Sequence, residues 1–180
     1  MTLASWITLL RFLLVPFFVV ILVLYTPEKD FLRTAALLIF LAAGFTDGVD
    51  GFLARRFHQW SRLGTILDPL ADKFLLVSGF LALSLLPSFP ENYRIPPWLT
   101  LLVVSRDLLI LAGAVMIHLV RWPLEIRPSR LGKITTFLQM MTIGAALLGL
   151  PFRGVVYPPT ACFTLLSGFG YLRYGLGFLR

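Results

Sequence analysis

Cysteine and charge are both scarce in this chain. Cys162 is the one cysteine among 180 residues, so no intrachain disulfide can form. It lies in an apolar run, and the reading is a buried structural thiol. Nothing points to an oxidising compartment. Charged residues make up only 14% of the sequence, far below what the exposed surface of a soluble domain this size carries. A leader peptide is also missing from view. Trp6 to Tyr25 is apolar but has neither a basic region before it nor a small-residue cleavage site, and it is long enough to span a bilayer. It is expected to be a retained helix. No strand-like alternation, internal repeat or soluble domain stands out.

What is present is apolar length. Hydrophobic residues make up 58% of the chain, and the mean hydropathy is +0.85. A span takes about twenty mostly apolar residues. Six segments qualify, roughly 5–25, 32–52, 65–86, 97–120, 131–150 and 158–178. Turn signals separate them: Thr26-Pro27-Glu28, the basic stretch 53–64, Pro87 to Pro97, Arg121 to Arg130, Pro151 to Gly154, and Pro158-Pro159. The expectation is an all-α, polytopic membrane protein, a bundle of six transmembrane helices in one domain over 1–180.

Basic residues orient such a bundle. One set of ends holds nine: Arg55, Arg56, Arg62, Arg121, Arg127, Arg130, Lys133, Arg173 and Arg180. The opposite set holds four: Lys29, Arg33, Arg94 and Arg153. Both termini are therefore expected on the cytoplasmic side. The net charge of +7 fits anionic lipid head groups, not nucleic acid.

Four of the nine acidic residues fall in the short stretch from Phe45 to Phe74. Asp47 and Asp50 are three apart near the end of the second span; Asp68 and Asp72 are four apart near the start of the third. Both spacings put a pair on one helix face. A short basic loop makes the two helices antiparallel neighbours, so the four carboxylates can converge at the cytoplasmic face. Converging negative charges in a low dielectric repel, and protonation or bound cations relieve them. Hard divalent cations such as Mg²⁺ or Mn²⁺ take oxygen ligands, and a pair of them can clamp a transferring phosphoryl group. Small residues sit between the aspartates. Gly51 lets a ligand approach the backbone, Ala54 lies one turn beyond Asp50, and Gly64 lies one turn before Asp68. Arg55 offers a fork for phosphate. Together they point to a nucleoside diphosphate substrate. Arg56 and Arg62 read as cytoplasmic anchors, His58 as a loop residue and His118 as interfacial.

The full string reads D-x₂-D-G-x₂-A-R-x₈-G-x₃-D-x₃-D. It resembles the signature of the CDP-alcohol phosphatidyltransferases at every fixed position: Asp47, Asp50, Gly51, Ala54, Arg55, Gly64, Asp68 and Asp72. The resemblance, which extends to the six-helix plan, implies an integral membrane enzyme of phospholipid synthesis. It would transfer a phosphatidyl group from CDP-diacylglycerol to an alcohol and release CMP. It also implies roles. Asp47, Asp50, Asp68 and Asp72 would be ligands of two metal ions, Mg²⁺ or Mn²⁺, with Asp72 nearest the acceptor hydroxyl as general base. Asp47, Asp50, Gly51, Ala54, Arg55 and Gly64 would hold the cytidine diphosphate. A homodimer among membrane lipids is implied as well.

Further strings are similar to the glycerol branch of the family, the phosphatidylglycerophosphate synthases and the cardiolipin synthases. They are Thr8 to Arg11, Leu67 to Lys73, and Gly132 to Gln139. Ser105-Arg106-Asp107 leans toward the cardiolipin type, and Ala4-Ser5 stands where the branch has Pro-Asn. Arg106 and Lys133 are candidate ligands for an anionic acceptor phosphate. Glycerol 3-phosphate is the expected acceptor and phosphatidylglycerol the alternative. A divalent-cation transporter would explain the carboxylates, but not Gly51, Ala54, Arg55 and Gly64 at set spacings.

Overall fold

The computed structural model describes residues 3–57, 62–120, 130–151 and 153–178, with side chains for 13–46, 71–113, 131–151, 154–171 and 173. Six helices account for most of them: α1 (Leu3–Leu24), α2 (Phe31–Phe57), α3 (Arg62–Leu85), α4 (Pro97–Val120), α5 (Arg130–Leu147) and α6 (Tyr157–Phe178). Three short 3-10 turns, Pro27–Lys29, Glu91–Tyr93 and Arg153–Val155, complete the order, with no strand among the described residues. Each apolar segment of the sequence became one helix. The largest departure is α2, which runs on through Ala54, Arg55 and Arg56 to Phe57. That stretch is basic but contains no Gly or Pro after Gly51, and Leu, Ala and Arg all favour helix. Its charge marks where polarity begins, not where the helix stops.

Helix starts follow local chemistry. Pro97 opens α4, where its missing N–H costs nothing. The Pro96 carbonyl accepts the N–H groups of Leu99 and Thr100. At α2, the Asp30 carbonyl accepts from Arg33 and Thr34. The Asp30 carboxylate is gripped by the Arg33 fork, with Nε–Oδ1 and Nη2–Oδ2 both at 2.8 Å. That grip holds the Asp30 carboxyl below the usual carboxylate range.

The helices sort into two compact units. The first comprises Met1–Arg94 and Ile143–Leu150. In it α1 packs along both α2 and α3. Its buried stripe is Val15, Phe18, Leu22 and Tyr25, at helical spacing. Phe18 meets Phe40 of α2 with ring centroids 5.8 Å apart, and Tyr25 stacks on Phe89 at 4.3 Å. At the far end from the aspartates, Arg33 links three segments. Its guanidinium donates to the Leu147 carbonyl at the end of α5, pairs with Asp30, and lies 4.5 Å from the centre of the Tyr93 ring.

That same end of α5 closes on Gly149, whose φ is 64°. The Gly149 N–H bonds to the Ala146 carbonyl and the Leu150 N–H to the Ala145 carbonyl, the paired bonds of a Schellman cap. The second unit comprises Ile95–Thr142 and Pro151–Arg180, with α4 packed on α6.

In both units the outward side chains are apolar. Phe17, Leu41 and Phe45 are exposed in the first, and Leu101, Phe137 and Phe169 in the second. Hydroxyls and amides lie inside, including Thr135, Gln139, Thr142, Thr160 and Thr164. Among the described residues, the stretch Glu91–Gly113 is long and apolar enough to cross a membrane, and Leu13–Leu24 and Phe31–Thr46 are shorter apolar helices.

A Cβ at position 149 would overlap the Tyr93 ring and would also sit on backbone that L-residues disfavour. Gly149→Ala is therefore expected to cost about 2 kcal/mol or more, read as a fall in thermal unfolding temperature. In a double-mutant cycle with Tyr93→Leu, the steric part of that loss should disappear and the backbone part should remain.

Candidate active site

Register along α2 and α3 explains where the aspartates fall. On α2 the buried residues Ala36, Phe40 and Ala43 step by four and three. The same stepping continues to Asp47, Asp50 and Ala54. On α3 the buried residues Leu83, Phe80 and Leu76 step back toward the N-terminus, and further steps of four reach Asp72, Asp68 and Gly64. Each aspartate pair thus continues the row that its helix buries in the first unit. Gly51 and Arg55 follow Asp50 and Ala54 by one position.

Asp72 is half-buried and follows the buried Ala71. The Thr46 hydroxyl, just ahead of Asp47, is spent on its own helix, 2.9 Å from the Ala42 carbonyl and 2.8 Å from that of Ala43. For Asp47, Asp50, Gly51, Ala54, Arg55, Gly64 and Asp68 the structure describes the helix position; their side chains lie outside the described residues. Among the described side chains no three His, Cys, Asp or Glu groups gather, and Asp72 is the quartet's one member in that set. On donor chemistry the quartet fits a hard divalent cation, since it offers carboxylate oxygens alone.

The second unit holds a charged site of its own. Arg106 and Asp107 of α4 are each 6% exposed. Arg106 Nη1 lies 2.6 Å from Asp107 Oδ1, its Nη2 donates to the Ser167 hydroxyl of α6, and its guanidinium sits 5.8 Å from the Tyr171 ring centre. Arg106 Nε is buried without a hydrogen-bond partner. The sequence places a basic residue here as an acceptor ligand; the structure adds that Arg106 is paired along its own helix. Lys133, the other candidate, is exposed at the start of α5.

Hydroxyls join α5 to α6. Thr135 Oγ1 donates to the Phe163 carbonyl at 3.0 Å, and the Thr142 and Thr160 hydroxyls lie 2.8 Å apart. Gln139, between them on α5, is fully buried, and neither of its amide atoms has a hydrogen-bond partner.

Sequence reading assigned α6 no part in the site. The signal was there: Thr160, Thr164, Ser167 and Tyr171 step by four, three and four along an otherwise apolar helix. The same register corrects the expectation for Cys162. That residue is exposed, because it lies on the side of α6 opposite the buried row.

Comparison with known proteins identifies the family of the chain. The family model described as CDP-alcohol phosphatidyltransferase matches residues 1–167. A Mycobacterium tuberculosis protein named probable phosphatidylglycerophosphate synthase is 32% identical over 182 residues, covering 97% of this chain and 81% of its own. The Escherichia coli K12 protein named CDP-diacylglycerol--glycerol-3-phosphate 3-phosphatidyltransferase is 36% identical over 166 residues, covering 87% and 82%. A Schizosaccharomyces pombe fusion protein named cardiolipin synthase (CMP-forming) / mitochondrial hydrolase is 31% identical over 192 residues, covering 94% of this chain and 30% of its own. The chain belongs to the CDP-alcohol phosphatidyltransferase family. It is a transferase of phospholipid biosynthesis.

Truncating one partner of a buried ion pair leaves the other charge without compensation. Asp107→Ala should therefore lower stability by about 3 kcal/mol, measured by thermal unfolding in detergent. The double variant Arg106→Met with Asp107→Leu should recover most of the loss.

Proposed function

We propose that this chain is a phosphatidylglycerophosphate synthase. It moves the phosphatidyl group of CDP-diacylglycerol onto the primary hydroxyl of glycerol 3-phosphate and releases CMP. The observation that carries this reading is the eight-residue string on α2 and α3, whose aspartates continue the buried rows of both helices. The names of the mycobacterial and enteric relatives support the acceptor.

Asp47, Asp50, Asp68 and Asp72 would hold two divalent ions, Mg²⁺ or Mn²⁺. When bound, such ions withdraw charge from phosphoryl oxygens and from the leaving nucleotide. The protein's own groups do the rest. Asp72 accepts the proton of the acceptor hydroxyl, because an alcohol is a poor nucleophile at neutral pH. Asp47, Asp50, Gly51, Ala54, Arg55 and Gly64 hold the cytidine diphosphate, with the Arg55 fork on phosphate. The small residues let the nucleotide approach the helix backbones. Arg106 and Lys133 bind the phosphate of the acceptor.

The chain acts as one domain over 1–180, with six helices spanning the membrane, both termini cytoplasmic and the aspartates at the cytoplasmic face. Apolar outward side chains and the nine-to-four division of basic residues support that placement. A homodimer is the expected assembly. Cardiolipin synthesis, with phosphatidylglycerol as acceptor, is the second reading. Ser105-Arg106-Asp107 and the likeness to the S. pombe protein favour it.

Two variants test the division of roles. Asp72→Asn should lose at least about 100-fold in CMP release while CDP-diacylglycerol with Mg²⁺ still raises its unfolding temperature; unchanged turnover would remove Asp72 as base. Arg55→Ala should weaken the apparent affinity for CDP-diacylglycerol by about tenfold or more. An unaltered affinity would take Arg55 off the phosphate.

A further inference from the structure

The α4–α6 contact in the second unit has chemistry that helix packing alone does not use. A guanidinium carries five N–H donors in a rigid plane. Asp107 Oδ1 takes one from Nη1 and the Ser167 hydroxyl takes one from Nη2. Of the other three, the one on Nε is buried without a hydrogen-bond partner among the described residues. A buried donor left unmade costs free energy, and it costs more on a charged group. The chemical group that answers several N–H donors in one plane is an oxyanion.

The plane is held from two sides. Asp107 is the next residue on α4, so its grip alone moves with the Arg106 side chain. Ser167 is on another helix and is 1% exposed. Beside it Gly168 packs against the arginine stem, where a Cβ would stand 3.4 Å from Arg106 Cγ, in ordinary contact. Tyr171 follows one turn after Ser167, with its ring beside the guanidinium. Two anchors on two helices fix the tilt of the plane, which one anchor cannot do.

We propose that Ser167 is a positioning residue for acceptor recognition. It sets the guanidinium of Arg106 so that the remaining donors face the acceptor's phosphate. This rests on the reading above that Arg106 binds that phosphate.

The test uses the full chain in detergent, with CMP release followed while glycerol 3-phosphate and CDP-diacylglycerol are titrated separately. Ser167→Ala should raise KM for glycerol 3-phosphate about tenfold, with kcat and the KM for CDP-diacylglycerol within about twofold of the parent. Inorganic phosphate, as a competitor, should lose potency in parallel. Ser167→Thr keeps the hydroxyl and should restore the parent values. Ser167→Cys keeps the side-chain shape with a slightly larger atom that bonds weakly; if Ser167→Ala does not fold, it should raise the same KM, and an unchanged KM overturns the proposal. An unchanged KM for glycerol 3-phosphate in a folded variant, with or without a fall in unfolding temperature, overturns the proposal and leaves the hydroxyl as a fastener between helices.

Arg106→Lys separates the two layers. If it too leaves that KM unchanged, the acceptor role of Arg106 fails. If it raises the KM while Ser167→Ala does not, only the positioning role fails.

Discussion

Compensation of charge in an apolar chain governs this structure. Only 14% of the residues are charged, and the buried pair Arg106 and Asp107 shows how inward charge is met in part by partners. Asp107 faces Arg106, and Arg106 leans on Ser167. At the surface of the first unit, Arg33 grips the exposed Asp30 in the same way. Desolvating an ion costs several kcal/mol, so such pairs persist only with good geometry. Four aspartates fall at helix positions that continue the buried rows of α2 and α3. Divalent cations and a diphosphate substrate are the compensation proposed for them.

The helices that carry the aspartates are placed by ordinary packing. Val15, Phe18 and Leu22 of α1 are buried where α1 packs along α2 and α3. Arg33, Tyr93 and the Gly149 cap fasten the end of the unit away from the carboxylates. That division puts the cross-links at one end of α2 and the aspartates at the other. Functional groups on helices rather than loops are held more closely, which suits an in-line transfer between two substrates.

Much of this was legible in the residues. Six apolar runs bounded by Pro and Gly became six helices, because length and turn chemistry both act locally. The aspartate spacing was legible for the same reason, since helical register is a local property. What escaped is partly local and partly set by neighbours distant in sequence. The basic stretch 53–64 reads as a break, whereas α2 continues to Phe57 because arginine favours helix. Cys162 was expected inside, but burial on α6 follows a hydroxyl row that apolarity alone does not reveal. The tie from Arg106 to Ser167 joins residues 61 apart, and no local pattern encodes it. The Schellman cap at Gly149 falls inside the segment 131–150 read as an apolar span, and the Tyr93 ring that demands glycine there is distant in sequence.

The most direct measurement is CMP release from CDP-diacylglycerol by the purified protein, with Mg²⁺ or Mn²⁺ and one acceptor at a time. Glycerol 3-phosphate, phosphatidylglycerol, inositol phosphate and serine would each be offered. The account predicts release with glycerol 3-phosphate alone, abolished when the divalent cation is chelated. Release with phosphatidylglycerol alone would contradict the acceptor assignment and make the chain a cardiolipin synthase. Silence with every acceptor from folded, metal-supplied protein would contradict the account as a whole.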